Sequence, residues 1–533
     1  MGQEATVKAA GERVRIARAA GLVSSMTLVS RILGLVREQV FAALLGAGYH
    51  SDAFRIGFRI PNLLRDLFAE GALSAAFVPT YARVLKEEGR EGATRLANRV
   101  LTVLAGFLGL MVVLGIVFAW PVVSTLAPGF DAQPGKADLT VLLTRVMMPF
   151  LPLVSFAAVA MGMLNAEERF GTPALSPALF NVVTILWAGL LWALGLPLDQ
   201  VVVGWAIGTL LGGLAQFLVQ VPALRRSGWS PGVDWAPRDP GLARIGRLMA
   251  PATVGLAAVQ VNIFVNSIFA SHEPGAVSWL DYAFRILYLP IGLFGVALGT
   301  IATAGLARRA ADDDMDGLRR TLRQSLSMLA FLTIPATVGL MVLGVPVVRL
   351  LYERGRFAAS DTAATATALF LYSFGLLGYT GVKVLAPAFY ALEAPRVPLL
   401  ASVLAVLTNL VVVVAGFPHI GFRAVALGTA LGSLLNALVL AVAFEKKVGG
   451  LLGHGLLRPV ARMALAAAAM GGVAWACAVG LERALGTHGL VAQLVTGLIP
   501  VCAGIFVYGL LTRLFRVAES EVLFGMVRAR LGP

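Results

Sequence analysis

Charge is scarce in this chain of 533 residues: Asp, Glu, Lys and Arg supply 14% of it, against 58% hydrophobic residues. One soluble core with its solvated faces needs far more polar surface than that. A water-soluble globular protein is therefore excluded. Cysteine is nearly absent: Cys477 and Cys502 are the two present, both in apolar stretches without metal or redox spacing. Both read as packing residues. The five histidines are scattered. No His/Cys/Asp/Glu cluster suggests a metal, no GxxxxGK[ST] run offers a phosphate loop, and no nucleophile–base set shares a face. Neither enzymatic chemistry nor a cofactor is expected, and no energy source is carried on this chain.

What the chain does have is apolar length. Mean hydropathy is +0.82. Windows of about 20 apolar residues, long enough for a hydrocarbon layer of roughly 30 Å, recur to the end. The expected spans are 21–46, 50–82, 96–124, 139–164, 175–196, 201–222, 245–270, 277–306, 322–348, 363–390, 398–417, 421–444, 459–480 and 489–513. That gives an all-α polytopic membrane protein of about fourteen transmembrane helices. The formal net charge of +14 would suggest nucleic acid in a soluble protein. Here the cations cluster in short connections, so no nucleic acid is expected; anionic membrane lipids and an orientation signal are favoured instead. Basic groups such as Arg83 and Lys86, Arg225 and Arg226, Arg308 and Arg309, Lys446 and Lys447, and Arg513 and Arg516 follow alternate connections. The alternation places the N- and C-termini of a multi-pass membrane protein in the cytoplasm. RLLYERGRF at 349–357 departs from it, because Arg349, Arg354 and Arg356 fall on the expected outer side. A short amphipathic helix, a mouth facing an anionic substrate, or a one-span miscount would each account for it.

An internal echo sets the domain organisation. Residues 53–61 read AFRIGFRIP and residues 283–290 read AFRILYLP, each followed by Phe and a small-residue run ending in a basic connection. These lie six spans apart with matching parity, which implies a parallel repeat; chance likeness between two Ala/Gly/Leu-rich helices is the alternative. The expected domains are an N-terminal six-helix lobe at 1–222 and a second six-helix lobe at 241–445. Two further helices follow at 457–515, and 516–533 is a cytoplasmic tail.

The charges that enter the spans are concentrated near the front. In span 2, Asp52, Arg55, Arg59, Asn62 and Asp66 recur every three or four residues, one stripe if the helix survives Pro61. Arg65 lies off that stripe unless Pro61 bends the helix. Arg31 and Arg37 sit in span 1, Glu70 in the Phe68 run, Arg285 in span 8 and Lys383 in span 10. The arginines could snorkel or neutralise Glu38, Asp52 and Glu70. Alternatively they line a cavity, since ionisable groups within a membrane face a bundle interior or water. A guanidinium offers a rigid donor fork that pairs bidentately with phosphate, so the cavity reading points to a phosphorylated substrate. Asn262, Asn266, Asn409 and Asn436 read as amides joining helices or as part of an ion site.

Several long segments together resemble the MurJ (MviN) family of bacterial lipid II flippases, within the MATE-like exporter superfamily. They are SSMTLVSRILGLVREQVFAALLGAG, SDAFRIGFRIPNLLRDLFAEGALSAAFVPTYA, LNAEERFGTPALSPALFN, VSWLDYAFRILYLPIGLFGVALGTIATAGLARRA and APAFYALEAPRVP. The resemblance implies a bacterial cytoplasmic (inner) membrane location, two six-helix lobes plus two C-terminal helices (457–515) forming a lipid-tail groove, and alternating access of a cationic cavity to the undecaprenyl-diphosphate-linked peptidoglycan precursor, lipid II. It matches substrate-binding roles to Arg31, Arg37, Asp52, Arg65 and Arg285, with Arg55, Arg59, Asn62, Glu70 and Lys383 as secondary cavity candidates. Cell-wall synthesis proteins are implied as partners. Two departures stand out. Phe284 occupies the place of an aspartate found in some relatives, leaving Asp281 one turn away as a partner for Arg285. The family's sodium site matches Asn266, Asn409, Val413 and Thr429, with no carboxylate; these are remnants of an ion site at most, and membrane potential or another ion stays open as the driving force. The alternatives are export of another polyprenyl-diphosphate-linked polysaccharide precursor, a MATE-like small-molecule exporter, and a non-transport scaffold in cell-wall assembly.

Overall fold

The computed structural model describes residues 2–66, 71–451, 454–522 and 525, and among them there is no strand. Two compact units divide the chain at Pro274 and Gly275. The first holds α1 (Gly2–Leu45), α2 (Tyr49–Arg65), α3 (Gly71–Glu87), α4 (Gly89–Val117), α5 (Ala119–Leu126), a 3-10 turn (Pro128–Ala132), α6 (Lys136–Met147), α7 (Phe150–Ala166), α8 (Gly171–Ala193), α9 (Leu198–Leu218), α10 (Val221–Arg226) and α11 (Pro240–Ala270). The second holds α12 (Ala276–Pro290), a π-helical segment (Ile291–Val296), α13 (Ala297–Ala311), α14 (Met315–Val342), α15 (Gly344–Tyr352), α16 (Ala359–Phe374), α17 (Leu376–Ala391), α18 (Arg396–Ile420), α19 (Arg423–Lys447), α20 (His454–Leu485) and α21 (Leu490–Leu514).

Eleven stretches among the described residues are long and apolar enough to cross a membrane. They coincide with expected spans 3–6 and 8–14. The other three expected spans are also helical, as α1, α2 with α3, and α11. Arg31, Arg37 and Glu38 interrupt the apolar run of α1, and α2 and α3 have 17 residues each. The basic N-terminal residues continue α1 back to Gly2, because Ala, Glu, Lys and Arg are good helix formers that need no apolar face. The RLLYERGRF segment begins in the short helix α15 and turns at Gly355, which has φ 60°.

The element order from α1 to α9 repeats from α11 to α19. Each series runs long helix, helix broken near a proline, long helix, short helix, two half-helices and two long helices. In both, the break follows an AFRI-containing helix bearing Pro61 or Pro290. Proline removes one ladder donor, and after Pro290 the chain relaxes into the π-helical turn. By contacts α11 groups with the first unit, and α20 and α21 belong to the second.

Within lipid there is no hydrophobic drive between helices, so close van der Waals approach holds them together. Gly428 and Gly432 show how. A Cβ at either would sit 2.7 Å from Asn409 Oδ1 or the Ala405 carbonyl, so only glycine lets α19 lie against α18. In the first unit Leu73, Phe77, Tyr81, Leu96, Met163 and Trp229 form one core. In the second, Leu306, Leu322, Phe389 and Phe444 form another. Met463, Met470 and Tyr508 attach α20 and α21 to Phe331 of α14, and the Tyr508 hydroxyl donates to the Phe331 carbonyl at 2.8 Å. Asp314 caps α14 by accepting from Gly317 N–H at 2.8 Å. That bond, with the Arg309 guanidinium beside it, holds the Asp314 carboxyl below its ordinary range.

Candidate functional site

The α2 stripe forms as the spacing requires. The helix continues through Pro61 to Arg65, which puts Asp52, Arg55, Arg59 and Asn62 on one side. At its start Asp52 is fully buried and so is Lys136, the first residue of α6; their Oδ2 and Nζ atoms lie 2.9 Å apart. The ammonium also sits over the Phe130 ring, 4.2 Å from its centroid, a cation–π contact that adds to the pairing. The Tyr49 hydroxyl donates to the Pro134 carbonyl at 3.0 Å and draws the connection before α6 onto the end of α2. Nothing in the sequence links Lys136 to Asp52, because 84 residues separate them and the lysine stands in a connection between spans.

One turn on, Arg55 is buried, with its guanidinium 5.1 Å from the Phe41 ring and 3.8 Å from Glu38. Arg37 reaches the same carboxylate at 2.8 Å and lies over Phe180 at 5.2 Å. Glu38 thus holds α1 to α2, accepting from Arg37 and attracting Arg55 electrostatically, and burial makes each of those contacts stronger than it would be in water. Arg59 donates to the Ser267 hydroxyl on α11. Arg65 pairs with its neighbour Asp66 at 2.9 Å, and both remain partly exposed. Arg31 is exposed and makes no ion pair among the described residues. Asn62 is half-buried. Glu70 lies outside the described residues.

In the second unit, Arg285 is exposed and its Nε donates to Asp281 Oδ2 at 2.7 Å, one turn back along α12. Phe284 packs its edge against Tyr372 and Tyr379. Lys383 is exposed on α17, whose backbone there touches Gly299 of α13. Asn409 is fully buried and accepts from the Thr429 hydroxyl at 3.3 Å beside buried Val413. In the first unit Asn266 donates to Asn262 at 3.0 Å. Both amide contacts tie helix to helix or turn to turn. No group of three His, Cys, Asp or Glu side chains that could hold a metal occurs among the described residues.

The first unit therefore carries two kinds of arginine. Arg37 and Arg55 are held by a buried carboxylate and rings; Arg31 is exposed, and Arg65 is paired with the partly exposed Asp66. Arg285, exposed and paired with Asp281, is their counterpart in the second unit. An exposed ion pair is worth only about 0–1 kcal/mol. Arg65 and Arg285 can thus exchange Asp66 and Asp281 for an incoming anion at little cost, whereas a phosphate offers each a bidentate partner. The buried Asp52–Lys136 pair cannot be exchanged so cheaply, since opening such a pair costs about 3–5 kcal/mol.

Comparison with known proteins gives the family. A family model described as "Lipid II flippase MurJ" matches residues 41–496. A probable lipid II flippase MurJ of Vibrio cholerae is 36% identical over 470 residues, 86% of this chain and 88% of the relative. The lipid II flippase MurJ of Burkholderia cenocepacia is 34% identical, covering 87% and 90%. A solved structure titled "Lipid II flippase MurJ, inward closed conformation" superposes with TM-score 0.75 at 25% identity, over 93% of this chain and 98% of that one. An inward-facing multidrug-resistance MATE transporter shares the fold alone, with TM-score 0.65 at 18% identity over 82% of this chain. An all-α, multi-pass protein of the inner membrane, and a transporter rather than an enzyme, this chain belongs to the lipid II flippase MurJ family.

Proposed function

We propose that this protein flips lipid II from the cytoplasmic to the periplasmic leaflet by alternating access. The observation that carries the reading is the set of exposed or partly exposed arginines within the helices, Arg31 and Arg65 in α1 and α2 and Arg285 in α12. A guanidinium is costly to keep in a membrane without an anion. A diphosphate carries enough oxygens to accept from several guanidinium forks together. In this mechanism the head group displaces Asp66 from Arg65 and Asp281 from Arg285, and the carboxylates recapture the cations after release. Arg37 contributes near the cytoplasmic mouth, while Glu38 keeps it and Arg55 aimed. Asp52, held by Lys136, fixes the start of α2 and tempers the positive field. Arg59, Asn62, Glu70 and Lys383 are secondary contacts for the sugar–peptide head.

The polyprenyl tail follows α20 and α21, which expose Trp475, Ile505 and Phe506. Both termini face the cytoplasm and the RLLYERGRF segment faces the periplasm. Membrane potential acting on the arginine-bound diphosphate supplies the drive, since moving one charge through 100 mV is worth about 2.3 kcal/mol. Cell-wall synthesis proteins are the partners that would supply and consume the substrate, and anionic lipids neutralise the basic connections. A small-molecule exporter would not need several open arginines, and a scaffold would need none. The test is head-group translocation in proteoliposomes loaded with lipid II, or with a polyprenyl diphosphate bearing a sugar chain without peptide. Protein-dependent translocation of lipid II supports the proposal. Selective translocation of the peptide-free lipid would assign the polysaccharide-precursor reading instead.

A further inference from the structure

The ends of α14, α20 and α21 meet in two adjoining clefts of about 350 and 250 Å³. Arg462 and Arg516 line both, and Arg323, Ser327 and Glu519 line the smaller. None of the three arginines has a carboxylate partner within 4 Å among the described residues. Arg462 donates only to the Phe515 carbonyl, at 3.1 Å. Glu519 accepts from the Ser327 hydroxyl through Oε1, while its Oε2 is buried with no hydrogen-bond partner among the described residues. A buried acceptor in that state requires a donor. Arg516 adopts φ 52°, a left-handed conformation that an L-residue with a side chain enters at a cost and that favours glycine or asparagine. That conformation closes the end of α21, with Val517 N–H donating to the Thr512 carbonyl at 2.9 Å, and it carries the arginine at the mouth of both clefts. Beside the cationic groups, Leu465 and Leu514 are exposed.

We propose that this corner is a binding site for an anionic glycerophospholipid of the surrounding bilayer, distinct from the transported precursor. Three unpaired guanidinium groups offer bidentate donors to one phosphodiester. Glu519 Oε2 accepts from a hydroxyl of the head group, and Leu465 and Leu514 meet the first methylenes of an acyl chain. The side chains give a formal +2, three arginines less one glutamate, which selects a net-negative head group with a hydrogen-bond donor over a zwitterionic one. Phosphatidylglycerol has that chemistry. Basic pockets between membrane helices near the cytoplasmic surface bind such lipids, and the bound lipid ties the C-terminal pair to α14.

The test uses the full-length protein purified in detergent, delipidated, and titrated with phosphatidylglycerol or phosphatidylcholine. Retained lipid is counted by native mass spectrometry and thermal stability is followed in parallel. One phosphatidylglycerol should be retained, with apparent affinity at least tenfold above that for phosphatidylcholine. Arg323→Gln, which removes no protein hydrogen bond, should abolish the preference. Arg516→Gly should do the same while melting no lower than the parent without lipid, because it relieves the left-handed arginine; a merely structural role would lower both readouts together. Equal retention of the two lipids would overturn the proposal, as would an unchanged preference in both variants. Displacement of phosphatidylglycerol by stoichiometric undecaprenyl diphosphate would also overturn it, since the site would then belong to the substrate.

Discussion

Removing Lys136 should damage this protein far more than removing any open arginine. At 2.9 Å the Asp52–Lys136 attraction is about 6 kcal/mol gross, taking an effective dielectric of 20. Desolvation offsets much of that when the pair forms, so the pair as a whole contributes little net stability. Loss of one partner is another matter. Lys136→Met leaves the Asp52 carboxylate fully buried beside an apolar chain and forfeits the contact with Phe130. The expected cost is about 3–5 kcal/mol, or two to three and a half decades in the folded-to-unfolded ratio. Asp52→Asn should cost about as much, by stranding the ammonium. Carrying both changes, the protein should recover most of the loss, with an interaction energy of at least about 2 kcal/mol. Unfolding in mixed micelles of rising SDS fraction, followed by helix content, gives the four corners of the cycle. Additivity within about 0.5 kcal/mol would refute the coupled buried pair.

Three further outcomes follow from the same geometry. Asp281→Asn should leave stability within about 0.5 kcal/mol of the parent, as an exposed pair contributes little, and should slow release of a diphosphate head from Arg285, seen as tighter binding of the precursor in a titration; weaker binding would contradict the exchange of carboxylate for phosphate. A cysteine introduced at Arg354 in the cysteine-free background should react with an impermeant maleimide from the periplasmic side of intact cells, and labelling only after the cytoplasmic side is opened would refute the proposed topology. Photocrosslinkers at Trp475 and Phe506 should capture polyprenyl lipid more strongly than crosslinkers at Leu110 and Val113 on α4; equal capture would remove the basis for a tail path along α20 and α21.

Apolar length made most of the helices legible, because a span must satisfy its own backbone hydrogen bonds and helix is the economical way to do so. The periodicity of 52, 55, 59 and 62 gave the α2 stripe, and the one-turn spacing of Asp281 and Arg285 gave their ion pair, both being consequences of helix geometry alone. Contacts between distant segments were not legible. Lys136 lies in a connection where a lysine would ordinarily be solvated, and only the packing of α6 on α2 buries it against Asp52. Glu38 reads as one charge beside Arg37, yet Arg55 closes on it from the next helix. The cleft around Arg462 and Arg516 joins three helix ends, while in sequence each arginine looks like an ordinary basic flank. The extension of α1 to Gly2 was hidden because polar residues with high helix propensity give no apolar signal.

The central claim is that open arginines capture the head group. Its most direct test is the Arg31→Ala, Arg65→Ala, Arg285→Ala triple variant in a flippase-depleted bacterium, with membrane protein level measured beside lipid II flipping in the same membranes. None of the three makes a buried ion pair among the described residues. The protein should therefore accumulate at near-parental level, flip almost nothing and fail to complement, and lysine at the same positions should restore only part of the activity because it keeps the charge and loses the fork. Normal flipping by a stable triple variant would contradict the account.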